Sequence, residues 1–176
     1  RSTKEKTRII VEHFHSKVAD RIAGKAKAMI VTHSRASAVR FKLVVDDYIK
    51  KRGYPYRSLV AFSGTVTDTE TGASYTETSM NTKAAGERIS ESQTKEVFEK
   101  PAYRFLIVAN KFQTGFDQPL LHTMYVDKRL GGVNAVQSLS RLNRIYPPHK
   151  EETMVLDFVN EADHIQKAFE PYYETT

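Results

Sequence analysis

Three stretches of this 176-residue chain gather side chains suited to phosphate chemistry. In the run from Asn134 to Arg144, Gln137, Arg141 and Arg144 are spaced i, i+4 and i+7, with Asn134 one turn earlier. On a helix all four share a face, while Ala135, Leu139 and Leu142 form an apolar stripe roughly opposite. Two guanidiniums and a carboxamide on one edge make a planar, multi-donor fork that matches phosphate oxygens. The same pattern also describes a solvated amphipathic helix with two surface arginines. The second stretch runs from Phe105 to Pro119 and leaves an apolar segment at Ala109 for a polar loop reaching Gly115-Phe-Asp117. Gly115 permits close backbone approach to a ligand, and Asp117 can accept from a ribose hydroxyl or hold an arginine. An ordinary turn with an Asx cap fits equally well. The third is Thr32-His-Ser-Arg35, where a strand gives way to a helix. Ser34 and Arg35 there can meet a phosphate at the helix N-terminus, or Ser34 can simply cap it.

Other chemistries lack their residues. Gly24-Lys25 is followed by Ala26 and has Ala19 where a phosphate-binding G-x-x-x-x-G-K-[ST] loop needs its first glycine. Glu12, His13 and His15 do not have a zinc spacing and read as exposed helix residues, so no metal site is expected. The absence of cysteine removes disulfides and thiolate ligands, and no nucleophile-elbow pattern supports the serine–histidine–aspartate combinations.

The elements that must position these stretches alternate. Apolar, β-branched runs at 28–32, 58–62, 104–109, 123–127 and 153–158 read as buried parallel strands. Between the first two, Ala38, Phe41, Val45 and Tyr48 share a helical face, with Ser34 or Ser37 as N-cap and Gly53 after Lys50, Lys51 and Arg52 as the stop. Further helices are expected over 92–100, over 132–144 and from 161 onward. Strand–helix alternation predicts an α/β three-layer sandwich with a mostly parallel sheet and right-handed crossovers. In such sheets ligands bind beyond the carboxyl ends of the strands, where all three stretches fall. Residues 1–26 are expected to form a helix leading into a domain at 27–160, with 161–176 as a helical extension. The segment 64–86, rich in Thr, Ser, Gly and Glu, is expected to be a long mobile surface loop or a disordered insertion. A formal net charge of +6 favours a polyanionic partner. With no apolar run of membrane-spanning length and no signal pattern, a cytoplasmic location is expected. The start at Arg1 suggests a piece of a longer protein.

Taken in order, the stretches resemble motifs IV, V and VI of superfamily 2 helicases and translocases. Thr32-His-Ser-Arg35 sits at motif IV and Asn110 through Asp117 at motif V. Gln137-x-x-Ser-Arg141-x-x-Arg144 resembles motif VI, with Ser140 where glycine is common. The likeness is closer still to the motor (R) subunit of type I restriction enzymes. It is carried by the runs Phe62–Asp68, Asn110–Lys128 and Leu156–Asn160, and it covers most of the chain from Ala28 onward.

The resemblance implies a second RecA-like domain without its own P-loop. ATP with Mg2+ would be held mainly by a first RecA-like domain of the same polypeptide, while Arg141 and Arg144 reach the γ-phosphate and Gln137 helps to place them. Gly115 and Asp117 would lie near the ribose and phosphates. Ser34, Arg35, Asn110 and Lys111 would contact the backbone of duplex DNA. Methyltransferase and specificity subunits are the implied partners, and cleavage would come from a separate nuclease domain. Two other readings stay open: another superfamily 2 repair or remodelling ATPase, and a nucleic-acid-binding α/β module without hydrolysis.

Overall fold

The computed structural model describes residues 2–109, 118–128, 154–158 and 173–175. Six strands form one sheet: β1 (Lys27–Thr32), β2 (Arg57–Ala61), β5 (Tyr103–Val108), β6 (Leu121–Asp127), β7 (Met154–Asp157) and β8 (Tyr173–Thr175). Their order is β2-β5-β1-β6-β7-β8, and every pairing is parallel. The five expected strands are present within one or two residues. The sixth is a correction. Tyr173–Thr175 pairs with Val155–Asp157 as a strand, where the extension from 161 was expected to be helical. The other helical expectations, over 132–144 and at 161–172, lie outside the described residues.

Alternation along the strands divides the core into two layers. Ala28, Ile30, Val60, Phe105, Ile107, Tyr125 and Leu156 face helices α1 (Thr3–His13) and α3 (Arg35–Arg52). Met29, Val31, Leu59, Leu106, Met124 and Val126 face the opposite way, where Ile89, Val97 and Phe98 pack. The last two sit on α5 (Thr94–Phe98), which follows a 3₁₀ turn at Glu91–Gln93; the helix expected over 92–100 is thus a shorter composite.

Helix α3 forms for the reasons its sequence supplies. Ala38, Phe41, Val45 and Ile49 are buried on one face, Ser34 accepts from the Ser37 amide at 3.0 Å, and Gly53 ends the helix at φ +70°. Helix α1 is capped by Ser2 and passes into a π-helical turn, Phe14–Val18, which turns both Phe14 and Val18 into the core. A single turn, α2 (Arg21–Gly24), then reaches β1 with Ile22 and Ala23 at positive φ. Of Glu12, His13 and His15, expected to be exposed helix residues, His15 is exposed and the other two are half-buried, and all three contact tyrosines. His13 Nδ1 lies 2.7 Å from the Tyr125 hydroxyl, and the His15 ring stacks on Tyr54 with centroids 4.0 Å apart. Glu12 accepts from the Tyr54 and Tyr48 hydroxyls, and the Tyr54 bond is the main reason its carboxyl is held below the usual range.

The segment 64–86 is largely exposed and carries local regular structure. It contains a short antiparallel hairpin, β3 (Val66–Thr67) and β4 (Ser74–Tyr75), and a one-turn helix, α4 (Glu77–Met80), closed by a Thr76–Ser79 capping box. Its anchor is the free edge of β2. Asn81 Oδ1 accepts from the Val60 amide at 2.9 Å, and its Nδ2 donates to the Val60 carbonyl at 2.8 Å. Glu77 accepts from the Phe62 amide at 3.0 Å and from the Thr94 hydroxyl at 2.7 Å. The Lys42 ammonium donates to the Ser58 carbonyl at 2.9 Å. An edge strand presents unpaired backbone groups, and buried ones must be satisfied. Side chains do so here, and the polar composition of the segment is what equips it for that task. Asn81→Ala leaves a buried donor and acceptor unpaired and should cost about 2–4 kcal/mol. Chemical denaturation checks this; an unchanged midpoint would show that the edge is satisfied by other means.

At the start of β1, inside the sheet between β5 and β6, Lys27 is fully buried. Its Nζ donates to the carbonyls of Tyr103 at 2.6 Å and Lys100 at 2.8 Å, above the Phe98 ring. Burial, then the nearby Arg104 charge, pushes its pKa down to about 8 from 10.5. The neutral amine keeps both hydrogens those carbonyls need. Between pH 8 and 10.5 the unfolded lysine therefore holds a proton that the folded one has released, so stability rises with pH across that window. Wild-type stability relative to Lys27→Met should increase over this range in denaturation at stepped pH. A constant difference would mean that the buried amine does not titrate there.

Candidate functional site

Parallel pairing sends the carboxyl ends of all six strands to one edge. In register, Val31 pairs with Val108 and Thr32 with Asp127, so the ends of β1, β5 and β6 lie side by side. Thr32, fully buried, donates its hydroxyl to the Val108 carbonyl at 2.9 Å and lies 3.1 Å from the Ser34 carbonyl. The turn after β1 is thereby tied to the end of β5. At the end of β6, buried Asp127 accepts from the Lys6 ammonium through both carboxylate oxygens at 3.0 Å, fastening α1 to the same edge.

Of the side chains singled out in the sequence, Ser34 and Arg35 are described, and both stand at this edge. Ser34 is the N-cap of α3, the role first weighed against phosphate contact, and its capping bond does not preclude that contact. Arg35 is exposed and donates one Nη1 hydrogen to the Ser63 carbonyl at 2.8 Å. A guanidinium carries five N–H donors, so most remain available to an incoming oxygen. The start of an 18-residue helix adds backbone amides aligned with the helix dipole. An anion arriving here meets donors from the backbone and one fixed cation.

Sequence reading missed the residues that place Arg35. Ser63 supplies the carbonyl, and Gly64 adopts φ +71° with space for a Cβ only 3.0 Å from Arg35 Nη1. A side chain at 64 would strain the backbone and press on the guanidinium. The glycine in Phe62-Ser-Gly-Thr65 was the available signal, since a left-handed turn beside a strand end favours glycine. Asn110, Lys111, Gly115, Asp117, Gln137, Arg141 and Arg144 lie outside the described residues. Among the described residues, no group of three or more His, Asp or Glu side chains could hold a metal ion. No helix there is long and apolar enough to cross a membrane.

The sheet order and the helix layers define an α/β fold of RecA-like type, the fold of second helicase domains. Solved structures agree on the fold. Domain 2 of a DEAD-box helicase bound to an RNA duplex aligns over 100% of this chain and 61% of its own, with TM-score 0.60 and 15% identity. A fragment of an HsdR subunit of a type I restriction enzyme from Vibrio vulnificus aligns over 98% and 32%, with TM-score 0.61 and 13% identity. More specifically, residues 61–160 match the family model for type I restriction enzyme subunit R domain 3, and the chain belongs to that family.

Curated relatives point the same way. The type I restriction enzyme MjaVIIP endonuclease subunit of Methanocaldococcus jannaschii is 32% identical over 77% of this chain. The MjaIXP endonuclease subunit of the same organism is 27% identical over 93%. The chain spans 13% and 14% of those relatives' lengths.

The Ser34 geometry carries its own prediction. Ser34→Ala should lower stability by about 1 kcal/mol, whereas Ser34→Asp, which also caps, should leave it near wild type. Equal stability in both variants, read by thermal unfolding, would contradict the cap.

Proposed function

We propose that this chain is the second RecA-like half of an ATP-dependent translocase on duplex DNA, acting within the restriction subunit of a type I enzyme. The observation that carries the reading is the Gln137, Arg141, Arg144 spacing inside the family-matched segment 61–160. Family membership favours it over a repair or remodelling ATPase.

In this proposal Arg141 and Arg144 stabilise charge on the transferring phosphoryl group, as an arginine finger does, and Gln137 positions them. The donor set fits: two guanidiniums and a carboxamide at helical spacing offer planar, multiple hydrogen bonds to phosphate oxygens. The chemistry supplied by ATP with Mg2+, held mainly by a first RecA-like domain, is hydrolysis of the γ-phosphoryl bond. Gly115 and Asp117 approach the ribose and phosphates. Ser34, Arg35, Asn110 and Lys111 grip backbone phosphates, which lets a motor follow a duplex without reading its sequence. Methyltransferase and specificity subunits complete the enzyme in the cytoplasm.

The fixed Arg35 guanidinium and the capped α3 start give the backbone grip a geometric basis at this edge. Because these 176 residues contain no G-x-x-x-x-G-K-[ST] loop, the reading also implies that the chain hydrolyses no ATP alone. In the full-length subunit, Arg141→Ala or Arg144→Ala should reduce ATP turnover by about a thousandfold and abolish translocation, with little change in DNA affinity. Translocation at the wild-type rate in both variants would remove the finger assignment. If the chain were only a binding module, Arg35→Ala or Lys111→Ala would weaken salt-sensitive DNA binding and ATP would have no influence on it.

A further inference from the structure

Between the later turns of α3 and the start of β2 lies a depression of about 340 Å³. Lys42, Asp46 and Lys50 of α3 line it together with Arg57 of β2 and Thr82. Arg57 begins β2 and Ala61 ends it, so about 13 Å of strand separates this depression from the edge that bears Ser34 and Arg35.

Inside the depression Asp46 is already shared. Its Oδ2 lies 2.7 Å from the buried Lys42 ammonium, and its Oδ1 accepts from the Ser58 hydroxyl. Half-buried Arg57 has no such partner. Its guanidinium lies over the Tyr103 ring, 5.5 Å from the centroid, and Nη2 donates to the Thr82 carbonyl at 2.8 Å. Nε is enclosed with no hydrogen-bond partner, and among the described residues no carboxylate pairs with the group. A guanidinium carries five N–H donors, and one drawn partly out of water without a counter-charge keeps an unmet desolvation cost. Exposed Lys50 likewise has no ion pair among the described residues.

Charge on these walls does not cancel. Lys42, Lys50 and Arg57 face Asp46 alone, which leaves +2. The ionic side chains just outside are paired with each other, Lys51 with Asp47 at 2.9 Å and Arg52 with Glu12 at 3.5 Å. Burial lowers the Lys42 pKa, Asp46 favours its charge, and the Arg57 charge opposes it. An oxyanion between the cations relieves that repulsion and offers the Arg57 fork the oxygens it matches. A carboxylate would neutralise half of the excess, and a phosphate dianion all of it.

We propose that this depression binds a phosphate dianion, free or as a phosphomonoester, held between Arg57 and Lys50. Ile49, Tyr54 and Tyr56 border the remaining space, so the organic part of an ester would meet apolar surface there. A phosphodiester carries a single charge and leaves half of the excess unmet. None of these residues takes part in the motor proposed above, so the site stands or falls separately.

Lysine acetylation of the full-length subunit, read by mass spectrometry at about pH 8, tests the site, since a phosphomonoester is a dianion above about pH 6. With phenyl phosphate at constant ionic strength, Lys50 should react severalfold more slowly while its neighbour Lys51 is unchanged. The same slowing by inorganic phosphate identifies the free ion as the ligand; a weaker one assigns the ester group to the tyrosine wall. Dimethyl phosphate, a monoanion, and duplex DNA should leave Lys50 as reactive as chloride does. Arg57→Met should abolish the protection. The proposal is overturned if Lys50 is not slowed, if Lys51 is slowed equally, or if the monoanion or DNA protects as well. Protection that survives Arg57→Met overturns it too. Lys50→Gln, at an exposed position, gives a second reading that does not depend on how Arg57→Met folds. Phenyl phosphate should raise the melting temperature of the full-length protein less in this variant than in wild type. An equal rise would mean that no phosphate sits there.

Discussion

Because β1 pairs in parallel with both β5 and β6, the turns entered from Thr32, Val108 and Asp127 leave the sheet at one edge. Parallel strands need crossovers on their faces, and the described helices α1 and α3 accordingly cover one face of the sheet. Stretches about seventy-five residues apart in sequence are thereby brought within a strand's width. The bonds at the edge reinforce the arrangement. Thr32 joins the β1 turn to β5, Lys6 joins α1 to β6, and Arg35 joins the start of α3 to the turn after β2.

The side of the sheet has its own constraint. β2 is an edge strand, and its outward backbone groups are met by Asn81, Glu77 and Lys42. Closing the edge with side chains permits a segment whose backbone does not have to pair as a strand. The hairpin can then project beside α3, where Val66 and Tyr75 face Val39 and Arg40 across a depression of about 340 Å³. Lys42 carries part of this closure although burial lowers its pKa, because Asp46, 2.7 Å away, favours its charge.

Much of the fold was legible because its signals are local. Unbroken apolar runs mark strands buried on both faces, and Ser34 and Gly53 bracket α3 as helix chemistry requires. What escaped was long-range. Nothing in the composition of 64–86 distinguishes polar residues that face water from Glu77 and Asn81, which face a strand edge. The tyrosine partners of Glu12, His13 and His15 lie 36 to 112 residues away, beyond any periodicity. Tyr173–Thr175 is too short for its alternation to announce a strand. At the site, residue types suggested a phosphate-facing turn at Ser34 and Arg35, while the Ser63–Gly64 seat beneath the guanidinium needed three dimensions.

The central claim is that this domain completes a nucleotide site with Arg141 and Arg144 while its β1 turn grips DNA. An experimental structure of the full-length subunit with a non-hydrolysable ATP analogue and a DNA duplex tests it most directly. The account predicts both guanidiniums within hydrogen-bond reach of the γ-phosphate, with Ser34 and Arg35 on the DNA backbone. A nucleotide held wholly by other parts of the subunit, with both arginines turned away, would contradict it.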